Sequence, residues 1–249
     1  MSQAIAQTPA TFPVLGIPLH LLENYAAWLA ARLRQHQGGH VVTLNAEMAM
    51  QAEKTPELAQ VIRQAELVIP DGAGVVLYLK LYGHHVQRSP GIELAEALIQ
   101  DLGHQGQGHS VFFFGAAPGV ADKAAQVWQH RLPNLAIAGS QHGFLSQEDQ
   151  PAFRQTLQAL QPSLILVGLG VPRQEYWIAE HRALCPHAIW IGVGGSLDIW
   201  AGTKERAPKW LREHHLEWVY RLYQEPWRWR RMLALPHFAW KALLARIRH

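Results

Sequence analysis

The chain has 249 residues, 49% of them apolar, which suits one large α/β domain with a real core and excludes a disordered polymer. Its formal net charge of +3 is unevenly placed: residues 204–249 hold 11 of the 22 Lys and Arg but only 4 of the 19 Asp and Glu, net +7, leaving the preceding part net −4. Charge concentrated at one end argues against a nucleic-acid partner for the bulk, and the single cysteine, Cys185, excludes an internal disulfide and fits a reducing compartment.

The opening MSQAIAQTPA has neither a basic n-region nor an apolar h-region, so it does not read as a signal peptide. No run approaches the roughly 18 consecutive apolar residues of a membrane span, so membrane contact is expected to be peripheral and cytoplasmic. Six β-rich runs follow: VVTLN at 41–45, LVIP at 67–70, VFFFG at 111–115, LAIAG at 135–139, LILVGLG at 164–170 and IWIGVG at 189–194. Several are apolar throughout, as strands covered on both faces are, and most of the intervals are long enough for crossover helices. The pattern predicts a Rossmann-like, mostly parallel sheet with helices on both faces. Glycine-rich loops, GAAPG at 115–119, GLG at 168–170 and GVGGS at 192–196, end three of the strands, where backbone amides can cradle phosphate. None completes a G-x-G-x-x-G.

From Ala207 the pattern turns helical, with Leu211, His215, Trp218 and Leu222 at helix spacing. A second stripe, Trp240, Leu243, Leu244 and Ile247, follows Pro236, and Pro226 and Pro236 divide the tail into about three pieces. Five of the ten Trp lie there: Trp210, Trp218, Trp227, Trp229 and Trp240. A cationic, aromatic, amphipathic tail suits an anionic membrane face or a phosphorylated ligand held at one; it also suits an ordinary helical layer on its own domain. The expected division is an α/β core over 1–203 and a basic helical appendage over 204–249 that contacts membrane and completes the site.

Asp71 ends LVIP and precedes Gly72, which places a carboxylate at the carboxyl edge of the sheet, where a general base belongs; Asp-Gly is also a common turn. Thr43 and Asn45 finish the preceding strand and face the same crevice, or serve as a strand-end hydrogen bond and a helix N-cap. Arg88 lies in the loop QRSPG, and Arg173, Gln174 and Glu175 open a helix, where the last two are also favoured by the helix dipole. Asp198, just past GVGG, could equally cap or brace its turn. The 15 His include the adjacent pairs His84-His85 and His214-His215, but there is no H-E-x-x-H, no spaced Cys/His set, no Asp-x-Asp, no P-loop and no G-x-S-x-G. No metal site and no cofactor are therefore expected, and any diphosphate leaving group must be neutralised by Arg and backbone amides.

The runs TLNAEM, LVIPDGAGVV, RSPG, FFFGAAPGVA, LILVGLGVPRQEYWI, IGVGGSLDIWAGTKERAPKW and LEWVYRLYQEPWRWRR occur in order between Val14 and Arg231. Together they resemble the WecG/TagA/CpsF glycosyltransferases, glycosyltransferase family 26. The resemblance implies an inverting, metal-independent transferase that moves an N-acetylmannosamine-type or related sugar from UDP to a polyprenyl-diphosphate-linked acceptor on the inner membrane face. It also implies Asp71 as the base, Thr43, Asn45, Arg88 and Gln174 lining the pocket, and Arg221, Arg228 and Arg231 as candidates for the diphosphate. The chain departs from the family pattern at Ser89, where Val or Thr is expected, and at Leu197, where Phe is expected. Two readings from other classes stand beside it: a dinucleotide-dependent sugar-modifying enzyme, which would want an acidic ribose ligand about 20 residues after a full G-x-G-x-x-G, and a non-catalytic membrane scaffold. Sugar, acceptor and oligomeric state, homo-oligomer included, are not legible.

Overall fold

A computed structural model describes residues 9–106, 108–214 and 216–247, apart from the side chains of Arg228 and Ile247. His215 of the first tail stripe thus lies outside the described residues, as does most of the N-terminal decapeptide.

The chain opens with an antiparallel hairpin, β1 (Thr11–Val14) and β2 (Ile17–His20), turning through Leu15 and Gly16 at φ 47° and 80°. It continues through α1 (Tyr25–Arg34), β3 (Gly39–Leu44), α2 (Ala46–Lys54), α3 (Pro56–Arg63), β4 (Leu67–Pro70), α4 (Ala73–Leu81) and α5 (Gly91–Gln105). Then come β5 (Ser110–Gly115), α6 (Val120–Arg131), β6 (Ala136–Gln141), α7 (Gln150–Leu160), β7 (Leu164–Gly168), α8 (Arg173–His181), β8 (Ile189–Gly192) and α9 (Ser196–Trp200). The tail forms α10 (Lys209–Glu213), α11 (Glu217–Gln224), α12 (Trp229–Met232) and α13 (Ala234–Ile247).

All six predicted strands form and pair in parallel in the order β4-β3-β8-β7-β5-β6. Their continuous apolar runs have a simple cause. Along β5, Val111 and Phe113 enter the core under α1, α5, α6 and α9, while Phe112 and Phe114 enter the one under α7 and α8. Along β3, Val41 belongs to the first core, and Val42 and Leu44 pack with α2, α3, α4 and the hairpin in another. With both faces covered, a strand has no polar side to show. β8 and β7 are the middle pair, β3 lies between β8 and the edge strand β4, and residues after β3, β4, β7 and β8 line one crevice at the carboxyl ends of the strands.

The tail differs from its predicted pattern. The stripe Leu211–Leu222 does not lie on one helix: α10 ends at Glu213, the chain turns with the Leu216 amide donating to Leu211 O at 2.8 Å, and α11 starts afresh at Glu217. Pro236 divides nothing. It sits in the first turn of α13, where a missing N–H is harmless. The face that α13 turns to the core is Phe238 and Ala242, 2% and 4% exposed, with the Phe238 ring 5.9 Å from that of Tyr78. Trp240 and Leu243, predicted to form the apolar stripe, are 61% and 51% exposed.

Phe238 is thus the residue that seats the tail. Phe238→Ala is expected to lower stability by about 3 kcal/mol or more in thermal or urea unfolding, as for other large-to-small core changes. Trp240→Ala should shift the transition little.

Candidate active site

Each candidate residue is placed by the end of an element. Asp71 follows β4; its amide donates to Leu44 O at 3.0 Å, and its Oδ1 accepts from the amide of Gly91, the first residue of α5, at 3.2 Å. Burial pushes the Asp71 carboxyl above its ordinary value, against the pull of Arg221 and Arg88 and with a further push from Glu217. Thr43 is buried at the end of β3 and donates to Gly192 O at 3.3 Å. Asn45 caps α2, accepting from the Met48 amide at 2.9 Å, so the N-cap reading of this residue holds and its place in the crevice holds beside it.

Arg88 is not a solvated loop residue. Its guanidinium donates to Glu217 Oε2 at 2.6 Å, and Glu217 Oε1 accepts from Arg221 at 3.0 Å, so a carboxylate from α11 bridges a core arginine and a tail arginine. Burial alone would raise the pKa of Glu217, but Arg221 and Arg88 hold it below the ordinary glutamate value. Arg231 of α12 pairs with Glu47 of α2. The side chain of Arg228, the third tail arginine implied by the resemblance, lies outside the described residues. Asp198 braces its turn through its main chain, its carbonyl accepting from Thr203 Oγ1 at 2.9 Å.

Two clefts meet at these residues. A polar one of about 180 Å³ is lined by Thr43, Gln174, Gly170, Gly194, Ser196, Lys204, Arg206 and Gln224. A larger one of about 490 Å³ runs between α4, α11 and α13, and its walls include Leu77, Tyr78, Leu81, Met232, Leu235, Phe238, Ala242 and Leu243, with Arg88 at its polar end. Asn45, Glu47, Asp71, Glu217, Arg221 and Arg231 line both. The GAAPG loop ends β5 outside the residues lining the two clefts. Among the described residues no three His, Cys, Asp or Glu come together as a metal-holding group, and no helix is long and apolar enough to cross a membrane.

Three features escaped the sequence reading. Glu217 was visible only as the residue one turn before Arg221, an ordinary i,i+4 pair. Glu175 is not a first-turn residue facing solvent: it is fully buried against His40, Nε2 to Oε2 2.7 Å, and against Gln174. The opposed charges of tail and core partly face one another, with Arg206 and Arg212 near Glu93, Arg231 on Glu47 and Lys241 on Glu53. Part of the tail's excess charge therefore serves docking on the core. Exposed pairs of this kind contribute only about 0–1 kcal/mol each, so they orient the tail more than they hold it.

These features define a Rossmann-like α/β protein whose site lies beyond the carboxyl ends of a parallel sheet, with a carboxylate between a polar and an apolar cleft. Sequence comparison supplies the family: the model of the glycosyl transferase WecG/TagA/CpsF family matches residues 12–249, and the chain belongs to that family of glycosyltransferases. It is 37% identical over 207 residues, 83% of this chain and 79% of the relative, to an N-acetylglucosaminyldiphosphoundecaprenol N-acetyl-beta-D-mannosaminyltransferase of Bacillus spizizenii. Proteins of the same name from Bacillus subtilis and Staphylococcus aureus are 34% and 32% identical, over 82% and 92% of this chain and 79% and 88% of theirs. The two departures from the family pattern are quietly accommodated: Leu197 is fully buried in the core and packs on Gly168, and the Ser89 amide donates to Pro70 O at 2.9 Å.

Proposed function

We propose that this chain transfers an N-acetylmannosamine-type sugar from a UDP-sugar to a polyprenyl-diphosphate-linked sugar, with inversion, in the assembly of a cell-surface polysaccharide. The observation that carries this reading is Asp71 at the junction of the two clefts: one is polar, with Lys204, Arg206, Arg221 and Arg231 on its walls to meet the phosphates of a nucleotide sugar, the other is apolar and roomy enough for the start of a prenyl chain. The names of the relatives agree with it. In the step itself the acceptor hydroxyl gives its proton to the Asp71 carboxylate, the freed oxygen bonds to the anomeric carbon, and the bond from that carbon to UDP breaks. The charge growing on the departing β-phosphate is met by Arg221 and Arg231, with Arg228 as the third candidate, while Thr43, Asn45 and Arg88 shape the pocket. One base and several arginines suffice for such a displacement, whereas a covalent, retaining route would want a second close carboxylate as nucleophile. Glu217 is close, but both its oxygens are taken by arginines.

We place the protein on the inner face of the cell membrane, with 204–249 acting as an appendage to a 1–203 core. Trp210, Trp227, Trp229 and Trp240 are all more than half exposed, and Leu77 of α4 is 57% exposed beside the apolar cleft. Such residues can enter the lipid interface while neighbouring Lys and Arg meet anionic headgroups, at about 1 kcal/mol per cation.

Thermal unfolding with UDP, UDP-sugars and NAD tests the ligand class. UDP and UDP-N-acetylmannosamine are expected to raise Tm, by mass action on the folded state, and NAD to leave it unchanged. Stabilisation by NAD alone would restore the dinucleotide reading.

A further inference from the structure

We propose that Glu175 is a positioning residue for the polar cleft: its buried carboxylate sets the orientation of the Gln174 amide, which in turn ties together the two glycine loops forming the cleft's floor. Only the last step of the test below rests on the cleft being the UDP site. Gln174 is 1% exposed and its amide is committed on both sides. Its Nε2 donates to Glu175 Oε1 at 2.9 Å, and its Oε1 accepts from the amide of Gly170 at 3.2 Å and from that of Gly194 at 3.1 Å. These two glycines belong to the loops after β7 and β8 and line the polar cleft. Two of the backbone amides that could have cradled a phosphate are therefore consumed in holding the loops to each other, and Gln174 acts on a ligand through them.

The orientation is forced by donor and acceptor chemistry. The Gly170 and Gly194 amides only donate and the facing Glu175 oxygen accepts, so the oxygen of Gln174 must face the loops and its nitrogen must face Glu175. A 180° flip would set the NH₂ group against two N–H donors and an oxygen against a carboxylate, losing three hydrogen bonds at once. The other oxygen of Glu175 lies 2.7 Å from His40 Nε2, which places that ring proton on Nε2 and satisfies a carboxylate that is 0% exposed. Even the glycine pattern follows: a Cβ at Gly192 would collide with the Gln174 amide and the Glu175 carboxylate, so β8 must end in glycine for the pair to pass. His40 is the second residue of β3, where Thr43 also reaches Gly192 O, so the network joins β3, β7, β8 and α8 at the cleft.

The alternative is that His40 and Glu175 only stabilise the core. Removing one of them would leave an uncompensated buried group, so the informative variant removes both: His40→Leu with Glu175→Met, an apolar pair that such sites commonly tolerate. Hydrogen exchange at the Gly170 and Gly194 amides is the readout that does not depend on any ligand. In the wild type both are expected to be protected, and in the double variant, at a Tm within a few degrees of wild type, both should exchange at least about 10-fold faster. UDP affinity should weaken at least about 10-fold in the same variant. Unprotected glycine amides in the wild type would overturn the proposal even if the double variant failed to fold. Unchanged exchange in a folded double variant would overturn it as well. If the exchange changes as expected but wild-type protein ignores UDP, the donor assignment fails and the positioning role stands.

Discussion

Asp71→Asn is expected to lower turnover about 100-fold or more while leaving the fold and UDP binding intact, because an amide cannot take the acceptor's proton. The site supports a base at this position. One carboxylate oxygen is fixed by the Gly91 amide, and the residue lines both clefts. The raised pKa gives two further expectations. Turnover should fall with an acidic limb above the ordinary carboxylate range, since only the ionised form is a base. Stability should move the other way: a carboxyl whose folded pKa lies above its unfolded one binds its proton more tightly when folded, so its ionisation costs stability as pH rises, and neutral Asn removes that cost. Turnover of the Asn variant near wild type, with acceptor saturating, would rule Asp71 out as the base.

Arg221→Ala and Arg231→Ala should each lower turnover by about 10²–10³, the scale on which single preorganised donors stabilise developing charge. Both arginines come from the tail, line both clefts and are held at the site by carboxylates, Glu217 and Glu47. Because charge on the β-phosphate grows as the bond breaks, the loss should appear chiefly in kcat and less in UDP affinity. Lysine at either position would keep the charge but lose the guanidinium's fixed geometry, and partial recovery is expected. Arg154→Ala, which removes an exposed pair with Glu180 at 3.4 Å, serves as the surface control. Wild-type turnover in both variants, and in Arg228→Ala beside them, would leave the tail arginines without a part in the chemistry.

Most of the six sheet strands were legible because two-sided burial leaves them apolar runs, whereas the edge strand β6 is only half-buried and carries Gly139, Ser140 and Gln141. The hairpin was not: β1 and β2 are four residues each, both contain proline, and their turn is carried by Leu15 and Gly16 alone. The break between α10 and α11 has no glycine or proline to announce it. Tertiary contact, not local sequence, also made Phe238 the side chain that docks α13 on the core. Within the site, Asp71, Thr43 and Asn45 could be found because strand ends fix where side chains project. Glu217 and Glu175 could not, since their meaning lies in partners 129 and 135 residues away, Arg88 and His40. The family resemblance supplied the arginines, but only the folded chain shows a glutamate bridging two of them.

The central claim is that one base between two clefts performs a direct, inverting transfer onto a lipid-linked acceptor without a metal. Its most direct test is to incubate the full chain with UDP-N-acetylmannosamine and a polyprenyl-diphosphate-linked N-acetylglucosamine in anionic vesicles, with excess EDTA, and to determine the anomeric configuration of the product. Release of UDP and a single product inverted relative to the donor, at a rate unaffected by EDTA, is expected. A product that keeps the donor's configuration, or transfer that stops in EDTA and returns with Mg²⁺ or Mn²⁺, would contradict it.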